Sequence, residues 1–456
     1  MSWKSMLPVS SRSFHSNADQ VKQQLEGLRD NQQRTEEILD QMQRELVRLG
    51  DTMPDEQRHC KVHYLIAEPG FPNYGDELIA AEWLKYLAQI DPQTPVVVDC
   101  MRPGPSAAIL RGLHPHLTVT DTIARLTIEN PIANGRVDVD APVADIAATI
   151  VAALEDEGRA ARLASGIRLL NRDVKTMHIL GGGYMNSPWA ANLARLAAPQ
   201  WAVAHGIPSI ATGAGLVPLS DRDRQYVADV AATMIAFGCR DERSLQSIDQ
   251  AGLTGIAKLM PDDCFVNALD GVYDERRGAG FDGAGVVEGK LPRTMLCVQQ
   301  DFVEDHQALF QHVLAVLEAW QVDREHETLG VVECIPYECI ELIKFLEGNG
   351  YRTELFPTQI IVEDGFPAAP GQRWLSTRYH PHLLASAVGA EGCYLSVKPG
   401  YYDVKHVAVL RMGSRWAETM IDVPSIPQPG SGFENPGIRF DYRDQIRKMA
   451  AVVYGW

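Results

Sequence analysis

Met177-His178-Ile179-Leu180-Gly181-Gly182-Gly183 is a short apolar run that discharges directly into three glycines. A buried strand that ends in a loop able to bend sharply and approach a ligand reads this way. The same reading recurs on both sides. Upstream, residues 62–67 form an apolar run that leads into a loop ending in Asn73-Tyr74-Gly75-Asp76-Glu77. A helical stretch over 77–90 and a second strand over 95–99 follow. Downstream, residues 207–211 run into Thr212-Gly213-Ala214-Gly215-Leu216-Val217-Pro218-Leu219, and residues 233–239 end at Arg240-Asp241-Glu242-Arg243-Ser244. Strands alternating with helices predict parallel sheets covered on both faces. The interval 101–175 shows a helical stretch near 143–171 but no clear strands.

Residues 271–292 are rich in glycine and charge and read as a linker. Beyond them the rhythm restarts: strands over 294–298, 329–334 and 394–397, helices over 306–320 and 337–347. The chain is thus expected to hold two Rossmann-like α/β domains, 58–270 and 293–456, with the cleft between them as the ligand site. Residues 1–57 stand apart. Val21, Leu25, Leu28, Gln32, Thr35, Leu39, Met42, Leu46 and Leu49 keep the four-three spacing of a heptad seam, and Gly50 and Pro54 stop it. A coiled-coil helix over 18–49 and a homo-oligomer built through it are expected, although a lone amphipathic helix would read similarly.

Composition narrows the function. With 42 Lys and Arg against 59 Asp and Glu, the net charge of −17 makes the chain a poor candidate for wrapping nucleic acid. Eight scattered cysteines, none in a C-x-x-C pair, read as buried thiols in a reducing compartment. No apolar run reaches the ~20 residues of a membrane helix, and no signal peptide is legible. A cytoplasmic location is expected.

Ligands of open parallel sheets bind outside the carboxyl ends of the strands, so the residues that follow the apolar runs are the candidates. Asp76 suits a helix N-cap, with Asn73 and Asp76 as hydrogen-bonding groups for a polar substrate as the alternative. Gly181, Gly182 and Gly183, with Gly213 and Gly215, serve either an ordinary turn or the close approach of a ligand. Arg240 leaves a buried strand, so it needs either an internal partner such as Asp241 or Asp262, or an anion. In Ser376-Thr377-Arg378-Tyr379-His380-Pro381-His382, Pro381 suits the first position of a helix. That places Arg378 and His380 at a helix N-terminus, which favours anions. Lys405, in Tyr401-Tyr402-Asp403-Val404-Lys405, offers a further cation.

Taken in order, N-Y-G-D-E, L-G-G-G, G-A-G-L-V-P-L, C-R-D-E-R-S, P-D-D, S-T-R-Y-H and Y-Y-D-V-K resemble the polysaccharide pyruvyl transferase family over roughly residues 60–410. The resemblance implies a fold like the GT-B glycosyltransferases and transfer of pyruvate from phosphoenolpyruvate onto two sugar hydroxyls as a cyclic ketal. It makes the first domain the acceptor side and the second the donor side, on a cell-surface glycan or its precursor. The first motif departs from the family, with Phe71-Pro72-Asn73-Tyr74 where a shorter glycine-containing turn is frequent. In that frame Arg378 and Arg240 hold the anionic donor, His380 is the general acid, and Asp76 accepts or orients a sugar hydroxyl. Asn73, Asp262, Lys405 and the loop glycines complete the binding set. No cofactor and no metal ion are expected. Two other readings stay open: a glycosyltransferase using a nucleotide sugar, with Glu338 or Glu341 gripping the ribose, and a non-catalytic assembly protein organised by the coiled coil.

Overall fold

The chain's computed structural model describes residues 60–131, 135–138, 140–158, 160–277, 290–300, 303–397, 402–421, 423 and 425–455. The expected coiled coil over 18–49 lies outside them, as does most of the glycine-rich linker. Two parallel sheets carry the structure. The first holds β1 (Val62–Ile66), β2 (Val96–Asp99), β3 (Leu117–Thr120), β4 (Val174–Ile179), β5 (Ser209–Ala214), β6 (Ala236–Cys239) and β7 (Ala257–Leu259), in the spatial order β3-β2-β1-β4-β5-β6-β7. The second holds β8 (Thr294–Cys297), β9 (Thr328–Val332), β10 (Arg352–Phe356), β11 (Arg373–Ser376), β12 (Glu391–Leu395) and β13 (Ala417–Thr419), in the order β10-β9-β8-β11-β12-β13. Both follow the doubly wound pattern, in which the chain reverses its direction of travel beside the first strand. The reversal opens a crevice at the carboxyl ends of β1 and β4 in one sheet and of β8 and β11 in the other.

The sequence reading located the interior strands within a few residues except β11, and it gave no range to β11 or to any of the four edges. The interval 101–175 does contain a strand, β3, but three of its four residues are half-buried and one is exposed. It therefore shows no apolar run. The same holds at β7, β10 and β13, each partly open to solvent.

Alternation along the strands divides the apolar residues between faces. Tyr64 and Ile66 of β1 point into a core shared with the helices Val143–Glu155 and Asp221–Thr233. Leu65 points the other way, into a continuous core with Trp83 of helix Tyr74–Ile90 and with Phe366 and Trp374 beside the second sheet. Tyr74 stacks on Phe366, with ring centroids 5.4 Å apart, and its N–H donates to Cys334 O at 3.0 Å. The floor of the cleft is therefore packed apolar surface common to both domains. The last helix, Ile438–Tyr454, leaves the second sheet and returns to the first domain. Arg447 donates to Val266 O at 2.8 Å, and the Tyr454 hydroxyl meets His178 Nδ1 at 2.9 Å.

Candidate active site

The loop after β4 lies against the loop after β5. Gly182 N–H donates to Gly213 O (3.2 Å), and Gly215 N–H to Gly182 O (2.9 Å). Gly181 N–H donates to Asp263 Oδ2 at 2.9 Å. Four of the five predicted glycines, Gly181, Gly182, Gly213 and Gly215, are thus engaged in lacing the loops together, and Gly183 reaches the cavity. Thr212 also donates to Asp263 (2.6 Å), so it accepts from His178 Nε2 (2.8 Å), and His178 Nδ1 accepts from Tyr454. Burial pushes the His178 imidazole down to about 3, in keeping with this neutral tautomer. Burial raises Asp263 to about 6 despite the bonds from Thr212 and Gly181.

The Arg240-Asp241-Glu242-Arg243-Ser244 segment divides its labour by residue. Asp241 caps helix Glu242–Asp249, accepting from Ser244 N–H at 2.7 Å. The Ser244 hydroxyl accepts from Leu216 N–H at 2.8 Å and so ties the β5 loop to the helix. Arg240 then projects away from both. Its Nη1 lies 3.1 Å from Asp262 Oδ2, and its guanidinium sits 4.4 Å from the centroid of the Tyr379 ring. A Cβ added to Gly215 would fall 2.7 Å from Arg240 Nε, and one on Gly183 2.9 Å from Nη2. The bare glycines are what admit the guanidinium. Of the two readings open for Arg240, the internal partner is present and is Asp262, yet the side chain still lines the cavity.

Arg378 and His380 come from the end of β11. Two sequence expectations are corrected here. Helix Tyr379–Ala387 begins with Arg378 itself at the N-cap position, so Pro381 is its third residue rather than its first. Helix Tyr74–Ile90 has Asn73 at its N-cap, and Asp76 sits inside the first turn rather than capping it. Asp76 accepts from Asn73 Nδ2 at 2.7 Å, and both line the cavity. Burial lifts its carboxyl to about 6, with His380 and Arg240 opposing and Glu68 adding to the rise.

Asp262 sits behind the site, fully buried, with Oδ2 toward Arg240 and Oδ1 3.5 Å from His380 Nε2, an ion-pair distance rather than a hydrogen bond. Burial alone would raise its carboxyl. Instead His380, Arg240 and the Cys264 N–H hold it well below the usual carboxylate range. Lys405 lines the cavity too, and burial with the Arg240 and Arg378 charges brings its ammonium down to about 7.

The sequence reading missed Glu68 and Tyr379 and gave Glu338 a different role. Glu338 accepts from Arg378 Nε at 3.1 Å and pairs with its Nη2, while also taking the N–H groups of Cys334 (2.9 Å) and Ile335 (3.0 Å). A residue so engaged is a poor ribose ligand, and Glu341, 66% exposed beside His306, is no better placed. Glu68, after β1, lines the cavity and is paired with the fully buried Arg195. Tyr379 underlies Arg240. Only the polar character of Glu68 at a strand end could have pointed to it, since its partner lies far along the chain.

The cavity has a volume of about 430 Å³ and draws Arg240, Arg378, Lys405, His380, Asp76 and Glu68 to one space at the carboxyl ends of the strands. Among the described residues, no group of three or more His, Cys, Asp or Glu side chains is arranged to hold a metal ion. No helix of the described residues is long and apolar enough to cross a membrane.

Fold and site define a two-sheet α/β protein with a cationic cleft that also holds titratable side chains. A model of the polysaccharide pyruvyl transferase family matches residues 73–326, more than half of the chain, and the chain belongs to that family. Arg378, His380 and Lys405 lie beyond the matched stretch. No curated protein matches the sequence. Among solved structures, a UDP-GlcNAc 2-epimerase of Neisseria meningitidis bound to UDP-GlcNAc is 9% identical, covering 86% of this chain and 93% of its own, with a TM-score of 0.44. MurG of Acinetobacter baumannii is 10% identical over 87% and 95% of the two chains (TM-score 0.42). The glycosyltransferase SsfS6 of Streptomyces sp. SF2575 is 13% identical over 86% and 95% (TM-score 0.35).

Proposed function

We propose that the protein transfers pyruvate from phosphoenolpyruvate to two hydroxyls of one sugar, forming a cyclic ketal and releasing phosphate. The observation that carries this is the meeting of Arg240 from the first domain with Arg378 and Lys405 from the second around one cavity, His380 among them. Phosphoenolpyruvate carries two anionic groups on a three-carbon frame, and a cleft with cations on both walls suits it.

The chemistry needs a proton on the methylene carbon, which leaves an oxocarbenium-like centre at C2. One sugar hydroxyl adds there and gives up its proton. The C2–O bond to phosphate then breaks with its electron pair on oxygen, and the second hydroxyl closes the ring, losing its proton in turn. His380 is the proton donor in this reading, oriented from behind by Asp262. Asp76, close enough to feel the charges of both His380 and Arg240, receives a hydroxyl proton.

Incubation of the full chain with phosphoenolpyruvate and candidate glycans tests the reading. A mass gain matching one pyruvyl ketal, with one phosphate released per ketal, is expected. Transfer of the glycosyl group of a nucleotide sugar to the glycan, with release of the nucleotide, would replace the reading.

A further inference from the structure

The acid–base and cationic residues leave part of the cavity wall unassigned. That part is aromatic and polar. Phe71, 51% exposed, and Trp189, 40% exposed, both line the cavity while remaining open to solvent. Asn192 lies three residues after Trp189 on the following helical turn, and Glu68 lies three residues before Phe71.

An ion pair brings these two segments together. Arg195, fully buried, pairs with Glu68 and also donates to Ala67 O at 3.3 Å, although 127 residues separate it from Glu68. It ties the 187–195 segment to the end of β1, and Trp189 and Asn192 line the same cavity as Glu68 and Phe71. The Arg102 guanidinium lies over one face of the Phe71 ring, 4.3 Å from its centroid. Isolated exposed aromatics are ordinary on protein surfaces. Two on one cavity rim, beside a buried carboxylate and an amide, are the makings of a sugar site: rings pack on the C–H face of a pyranose while carboxylate and amide take its hydroxyls.

We infer that Phe71, Trp189, Asn192 and Glu68 form the acceptor subsite, which takes a hexopyranose with its C–H face on the aromatic rings and a hydroxyl on Glu68. This assignment rests on the transferase reading for its place in the reaction, but not for its ligand class. Asp76 lies close enough to Glu68 for that carboxylate to raise its own. A hydroxyl bound at Glu68 therefore comes within the field of the residue given the proton-accepting role.

The test is direct binding to the full chain, by saturation-transfer NMR with the methyl glycosides of glucose, galactose and mannose, alongside calorimetry with phosphoenolpyruvate. The wild-type chain is expected to bind at least one glycoside. Trp189→Ala and Phe71→Ala should each weaken that binding by roughly tenfold, the scale of one lost aromatic contact. Phosphoenolpyruvate binding by both variants should stay within about twofold, well under the tenfold worth of one contact, which also shows that they are folded. Failure of the wild-type chain to bind any of the glycosides, or undiminished binding by both variants, overturns the subsite. Glycoside binding that depends on Trp189 in a chain that ignores phosphoenolpyruvate would leave the subsite standing and remove the donor assignment.

Discussion

The imidazole of His380 rests directly on Gly75: a Cβ built there would fall 1.9 Å from His380 Nδ1 and 2.4 Å from Cε1, far inside van der Waals contact. The second residue of helix Tyr74–Ile90 and the second residue of helix Tyr379–Ala387 thus meet across the cleft, and no side chain larger than hydrogen fits between them.

Gly75→Ala is therefore expected to displace the ring while the helix, in which Ala is the better residue, keeps its propensity. Turnover should fall by ~10² or more, the usual span for a displaced general acid, with little change in melting temperature. His380→Gln, which still hydrogen-bonds but does not titrate, should lose turnover to a similar extent. A Gln variant that stays active assigns His380 to positioning alone.

Asp262 is shared by Arg240 and His380, so Asp262→Asn leaves buried positive charge uncompensated. A loss of ~3–5 kcal/mol in stability is expected. The sign with pH follows from the depressed folded value. Asp262 stabilises above the ordinary carboxylate pKa, and that contribution is lost as pH falls through the lower folded one. The gap between wild type and variant in urea denaturation should hold from neutrality down to about pH 4 and narrow below it.

Asp76 has the opposite sign. Its carboxyl is raised to about 6 in the fold, so the native chain holds a proton that the unfolded chain releases near 4, and stability falls as pH rises between them. Asp76→Asn escapes the penalty. It should match wild type near pH 4 and exceed it by up to ~2 kcal/mol above pH 7, while losing transfer activity. Equal stability at both ends of that range would show that the cavity hydrates the carboxylate fully.

Lys405, brought down to about 7 by burial and two guanidiniums, is only partly charged at neutrality. A bound anion favours the charged form. Donor binding should take up a proton near pH 7.5 and weaken as pH rises through 7 and beyond. Calorimetry in buffers of different ionisation enthalpy measures the uptake. Lys405→Arg, charged throughout, should abolish it while keeping donor affinity at high pH.

The alternation of apolar runs and glycine-bearing loops was by itself enough to determine two parallel α/β domains. Strands covered on both faces are buried along nearly their whole length, and β1, β2, β4, β5 and β8 are written mainly in apolar and small residues, with polar side chains such as His63, Asp99 and His178 buried among them. Loops that leave such strands in this fold meet at the crevice, which makes Arg240, Arg378 and His380 legible as candidates in the sequence alone. The edge strands stayed illegible because a strand half in water needs no apolar run. The partnerships did too. Arg195 with Glu68, Glu338 with Arg378, and Asp262 between Arg240 and His380 join residues from 22 to 127 positions apart. Local pattern holds no information on such pairs. Only the packing that buries each charge decides which opposite charge lies within reach, since a buried ion without one costs more than the fold can bear.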